Sequence, residues 1–130
     1  MIRLRKKALW SLFLLAWLLS GCSLGQIATS TNQVVSHGPV QVVSVIAKNY
    51  SWTLSRRKFV FGEPIRFIVK SIQGVHGFSI LGTNISNAVS QGEPSVTVDF
   101  TPKQKGVYTI KCNVYCGSGH DKMVTTFTVV

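Results

Sequence analysis

Alternation with a period of two is the feature that most limits what this chain can become. Ile65, Phe67 and Val69 fall on one side, with Arg66 and Lys70 on the other. Val96, Val98 and Phe100 oppose Thr97 and Asp99, and Tyr108, Ile110 and Cys112 oppose Thr109 and Lys111. Successive side chains of a strand point to opposite faces of a sheet, so this pattern buries one face and wets the other. It reads as antiparallel sheet packed on a core. The expected strands are Val40–Lys48, Tyr50–Leu54, Ile65–Ser71, His76–Ile80, Ser95–Phe100, Gly106–Cys112 and Met123–Val130. Breaks fall at Gly62-Glu63-Pro64, Gln73-Gly74, Gly92-Glu93-Pro94 and Thr101-Pro102-Lys103. So many short strands in one domain, with no sustained helical period and no internal repeat, predict an all-β Greek-key sandwich or barrel.

The N-terminal segment obeys a different rule. Arg3, Arg5, Lys6 and Lys7 make a basic start, and Ala8 to Leu19 then runs apolar almost without interruption. That run is shorter than the roughly 20 residues a bilayer core demands, and it suits the core of a signal peptide. It ends Leu19-Ser20-Gly21-Cys22, which resembles the bacterial lipoprotein signal, whose cysteine carries lipid and becomes the first mature residue. The expectation is a signal peptide at 1–21 and a lipidated Cys22 that anchors the chain to the outer face of the cytoplasmic membrane. A short uncleaved anchor is the other reading, and both place the remainder outside the cytoplasm. Residues 22–39 are rich in Ser, Thr, Gln, Asn and Gly and read as a flexible tether, with His37 a tether residue rather than a ligand. The domain itself is expected at 40–130.

Charge narrows the partners. The net charge is +10, and the leader contributes four of those cations and no anion, which leaves +6 on the rest. A moderate positive balance favours an anionic lipid surface. Nucleic acid is not expected as a partner, because no aromatic-interleaved basic cluster occurs and an exported chain would seldom meet it. The basic run Arg56-Arg57-Lys58 reads as a solvated turn.

The chemistry is concentrated after one strand. Cys112, Cys116, His120 and Met123 lie within twelve residues, spaced C-x3-C-x3-H-x2-M. Thiolate, imidazole and thioether together favour copper, whereas structural zinc prefers four Cys/His ligands. Cys116, His120 and Met123 supply three members of a mononuclear blue-copper set, and His76 in Val75-His76-Gly77-Phe78 is the natural fourth. Cys112 is then one thiolate too many, unless it bridges a second metal. Gly117 and Gly119 permit the sharp turn and close backbone approach that a crowded loop needs. A plain disulfide between Cys112 and Cys116 is the competing structural reading. No nucleophile–base pair and no paired carboxylates are present, so no substrate chemistry is expected on this chain alone.

This segment resembles the CuA motif of cytochrome c oxidase subunit II. Residues from about Val40 to Val130 resemble its cupredoxin domain. The match is closest to the compact subunit II of B-type haem–copper oxidases, through Val75-His76-Gly77-Phe78, Gly82-Thr83-Asn84 and Cys116-Gly117-Ser118-Gly119-His120. The resemblance implies a cupredoxin-like fold and a binuclear copper centre. In it Cys112 and Cys116 would bridge both coppers and His76 and His120 would each bind one. Met123 and the Val114 carbonyl would be weak ligands. It further implies a subunit through which electrons pass from a cytochrome c or small copper protein to the large subunit of a haem–copper oxidase. Three features depart from the family pattern. Val114 stands where many members carry a glutamate that helps bind magnesium. The usual membrane helices give way to the apparent lipid anchor. The mature chain has only Glu63, Glu93, Asp99 and Asp121 to build an acidic docking face. Tyr50 and Trp52 correspond to aromatics near the surface where electrons enter, or simply to core residues. Two further readings stay open: a lipid-anchored copper-binding or delivery protein without an oxidase, and a mononuclear blue-copper protein with Cys112 unused.

Overall fold

The computed structural model describes residues 38–130; the expectations for residues 1–37, including the signal peptide, the lipidated Cys22 and His37, lie outside the described residues. Nine strands follow in chain order. They are β1 (Gln41–Lys48), β2 (Ser51–Leu54), β3 (Lys58–Phe59), β4 (Ile65–Ser71), β5 (Val75–Ile80), β6 (Ser86–Ser90), β7 (Val96–Phe100), β8 (Gly106–Cys112) and β9 (Val124–Val129). A single 3-10 turn at His120–Lys122 is the helical piece among the described residues. None of the described residues form a helix long and apolar enough to cross a membrane.

The strands form two layers, ordered β2-β1-β4-β7 and β3-β9-β8-β5-β6. The architecture is the expected all-β, cupredoxin-like sandwich. β4 and β8 begin and end where the alternation predicts; the other expected strands shift by one residue at one end, and β9 by one residue at both. Two strands were not anticipated. β6 has only Val89 fully inward, so its sequence carries no period. β3 is two residues long and draws the last residue of the basic run, Lys58, into an edge strand. The sheets are also mixed rather than antiparallel: β1 runs parallel to β4, and β3 runs parallel to β9. Side-chain alternation is identical in parallel and antiparallel ladders, so the pattern cannot tell them apart.

Between the layers lies an aromatic core. Phe59, Phe67, Phe78 and Phe127 are fully buried, and Phe67 meets Phe78 and Phe127 at 5.3 and 5.5 Å between ring centroids. Each such side chain contributes about 1.5–3 kcal/mol through burial. The registers set the two ends of the sandwich apart. β1 and β4 finish, and β5 and β9 start, at the end where β8 delivers Cys112. The opposite end holds β3, the start of β1 and Val130, stitched by Gln41 N–H to the Pro64 carbonyl and Phe61 N–H to the Val130 carbonyl.

Candidate metal centre

Every expected ligand in the described residues arrives at one end of the sandwich. β8 places Cys112 on its inward face, fully buried. β5, hydrogen-bonded beside it, presents His76, also fully buried. The chain then leaves β8 in a loop that carries Val114 and Cys116, turns through His120–Lys122 and enters β9 just after the buried Met123.

The donor atoms converge. Ligand atoms of His76, Cys112 and Cys116 all lie within 4.8 Å of one another. The two sulfurs are 3.6 Å apart and both cysteines are free thiols, with no disulfide joining them in this structure. The Cys112 thiol donates to the Val114 carbonyl at 3.1 Å. Cys116 Sγ lies 3.7 Å from His120 Nδ1 and 3.9 Å from Met123 Sδ. All six expected groups therefore surround one small volume.

His76 supplies the sharpest test of fit to a metal. Its Nε2 sits 2.7 Å from the Gln73 carbonyl, which can only accept, so Nε2 carries the proton. Nδ1 is then a bare lone pair, buried and without a hydrogen-bond partner. Leaving such an atom unsatisfied costs about 1–3 kcal/mol, unless a cation takes it. A backbone carbonyl that fixes the tautomer from behind is the usual support for a metal-binding imidazole. The residues present thus fit a soft, thiophilic ion, with copper the best match to two thiols, two imidazoles and a thioether.

Electrostatics agree. Burial, with the adjacent Cys112 thiol, pushes the Cys116 thiol up to about 11. The metal-free site therefore keeps that proton at neutral pH, and a bound cation would displace it. The Gly77 N–H points at Cys112 Sγ from 3.4 Å and would stabilise negative charge on that sulfur.

Glycines and aromatics shape the site, and of these only the role of Gly77 carried no signal in the sequence. Gly77 has no room for a side chain: a Cβ there would meet Asn113 Oδ1, the Val114 nitrogen at 2.7 Å and Val114 Cγ2 at 2.8 Å. Gly117 adopts φ +125, and a Cβ on it or on Gly119 would strike the Tyr50 ring. Tyr50 is thus the platform for the ligand loop. Trp52 is a core aromatic, only 4% exposed. Its indole N–H donates to the Met123 carbonyl at 3.2 Å, and its ring meets His76 and Phe78 edge-on.

No protein-family model matches the chain. Two relatives, both cytochrome c oxidase subunit 2 of Thermus thermophilus, are each 40% identical over 106 residues. The matched region is 81% of this chain and 78% of one relative, but 62% of the other. The periplasmic domain of subunit II of cytochrome oxidase from Bradyrhizobium japonicum superposes with a TM-score of 0.63. That match covers 69% of this chain and 83% of that one, and at 15% identity it speaks for the fold alone. With the ligand types, their order and their convergence in view, the chain belongs to the cytochrome c oxidase subunit 2 family.

Proposed function

We propose that this chain is the electron-transfer subunit of a haem–copper oxidase and that its metal centre is a binuclear copper site. His76, Cys112, Cys116, His120 and Met123, with the Val114 carbonyl, would hold the two ions. The observation that carries this reading is the pair of free sulfurs 3.6 Å apart facing an unpartnered buried imidazole nitrogen. A mononuclear site would leave Cys112 as a buried, unused thiol directly against the donors. Copper held there would supply one-electron chemistry, and the chain would serve between a cytochrome c or small copper protein as donor and the oxidase as acceptor.

The protein's part is to hold its ligands still. His76 is fixed at the rear by the Gln73 carbonyl, and Met123 is fixed by Trp52 and by the Cys112 N–H, which donates to the Met123 carbonyl at 3.1 Å. Ligands fixed on strands need little movement when the charge of the site changes. The Gly77 N–H favours the ionised Cys112 sulfur and so helps set the potential. The absence of an acidic residue at Val114 removes the magnesium ligand that many relatives use.

Two finer points belong to the same proposal. The motifs around His76 and Cys116 favour the B-type subunit II. The basic and apolar leader ending in Cys22 favours a lipid anchor at 22, a tether at 22–39 and a domain at 40–130 outside the cytoplasm. The relatives favour the oxidase subunit over free-standing copper delivery. Purification of the full chain from its own membranes tests this. An oxidase subunit co-purifies with a haem-bearing large subunit and retains its copper. Recovery of the chain alone, with copper passing to an added acceptor, would favour delivery instead.

A further inference from the structure

His76 leans on a short turn. β4 ends at Ser71, β5 begins at Val75, and the Gln73 carbonyl between them accepts from His76 Nε2 at 2.7 Å. That carbonyl decides which ring nitrogen stays bare, and so whether the buried Nδ1 is open to an ion. The peptide between Gln73 and Gly74 is a weak place for such a support. Gly74 sits at φ +74 and, lacking a Cβ, it opposes a flip of that peptide little. A flip would turn the carbonyl away and aim the Gly74 N–H at the ring. Nε2 would then accept, the proton would move to Nδ1, and His76 could no longer offer that nitrogen to a metal.

Two groups oppose the flip. On the outer side the Gly74 N–H donates to Gln91 Oε1 at 3.2 Å, an exposed contact. On the inner side stands Ser71, only 1% exposed, with Oγ 3.1 Å from the Gln73 carbonyl and 2.8 Å from the Gly74 carbonyl. Neither carbonyl needs the serine to be satisfied. Gln73 has the His76 Nε2–H, and Gly74 has the Gln91 N–H at 2.9 Å. What the hydroxyl adds is a hold on the direction in which the Gln73 carbonyl points. We propose that Ser71 is a positioning residue for His76: its hydroxyl keeps the Gln73 carbonyl against Nε2 and so keeps Nδ1 bare for the metal. The inference rests on the reading of His76 as a ligand, and it adds a residue that touches neither the ring nor any ion.

A two-bond proton–nitrogen correlation spectrum tests it, on the full chain in detergent micelles, metal-free and reduced, with nitrogen-15-labelled histidine. The native chain shows His76 protonated at Nε2 alone. Ser71→Ala brings in the form protonated at Nδ1 and weakens copper binding about tenfold, the lower end for groups that orient a ligand. Ser71→Thr keeps the hydroxyl and restores both. Should alanine fold poorly, Ser71→Val against Ser71→Thr makes the same comparison at nearly equal shape. Thr83→Ala is the control: it removes a hydroxyl-to-carbonyl bond of 2.7 Å just past the far end of β5. It lowers stability and leaves the His76 proton in place, as loss of a serine that merely closes a turn would. Protonation at Nε2 alone in Ser71→Ala or Ser71→Val would overturn the proposal. So would Ser71→Thr behaving like alanine, or a proton shift in Thr83→Ala. The spectrum needs no metal, so the two readings fail separately: a native chain with these proton positions that takes up no copper would sink the metal reading and leave the role of Ser71 standing.

Discussion

Substituting Gly77 with alanine isolates the role of close packing at the metal centre. Gly77 is absent from the positive-φ residues, so its backbone is open to alanine without conformational strain. The cost is steric. An added methyl would lie 2.7 Å from the Val114 nitrogen and 2.8 Å from Val114 Cγ2, and it would also meet Asn113 Oδ1. The Asn113 amide could rotate away, but the Val114 nitrogen is backbone and moves only with the ligand loop. That movement strains the Asn113 N–H to Gly77 carbonyl bond at 3.1 Å and the Gly77 N–H to Cys112 sulfur contact. Overpacking of this kind costs about 1–3 kcal/mol. For a domain of this size about 2 kcal/mol lowers the melting temperature by roughly 8–16 °C. Thermal unfolding of the metal-free full chain reads that loss, and a copper titration reads the displaced Cys112 and Val114 as weaker uptake. Gly82→Ala is the control, since nothing lies within 4 Å of its Cβ position and only its φ of +77 opposes alanine. It should lower stability and leave copper uptake alone. A Gly77→Ala chain that melts and binds copper like the parent would refute the reasoning.

Other outcomes follow from the same geometry. Met123→Leu should keep both coppers and shift the potential, whereas Cys116→Ser should abolish the binuclear centre; an unchanged spectrum and metal content in Cys116→Ser would show the ligand set to be wrong. Trp52→Phe removes the N–H that holds the Met123 carbonyl and leaves a small void, at about 1–3 kcal/mol by denaturant unfolding; an unmoved midpoint contradicts this. Gly119→Ala drives a methyl into the Tyr50 ring, so Tyr50→Ala should partly rescue it, and strictly additive losses would argue against the contact. The Cys116 thiol is raised from 9.0 to about 11, which means the fold favours its neutral form. Its contribution to metal-free stability is therefore complete below about pH 9 and lost as pH rises through about 11. Alkylation of Cys116 in the metal-free chain should stay slow at neutral pH and accelerate over that window, and fast labelling at pH 7 would contradict it.

Much of the fold was legible because alternation reports burial directly. Ile65, Phe67 and Val69 are all fully buried, and Cys112 faces inward as its strand position requires. The missing strands failed for a physical reason: Ser86-Asn87-Ala88-Val89-Ser90 lies at a sheet edge and buries one large side chain, and Lys58–Phe59 is too short to show a period. Parallel pairing of β1 with β4 was hidden because strand direction is set by connections, not by side-chain pattern. At the metal centre, chemistry made Cys112, Cys116, His120 and Met123 visible through spacing, and His76 through its context. What stayed hidden acts through backbone or through empty space: the Gln73 carbonyl behind His76, the bare Cα of Gly77 and the indole N–H of Trp52 on the Met123 carbonyl. None of these depends on a residue type that announces a ligand.

Copper content and the electron paramagnetic resonance spectrum of the copper-loaded full chain bear most directly on the central claim. Two coppers per chain, with hyperfine structure from one unpaired electron shared equally between both nuclei, is the predicted result. One copper per chain, with an electron confined to a single nucleus, would contradict it.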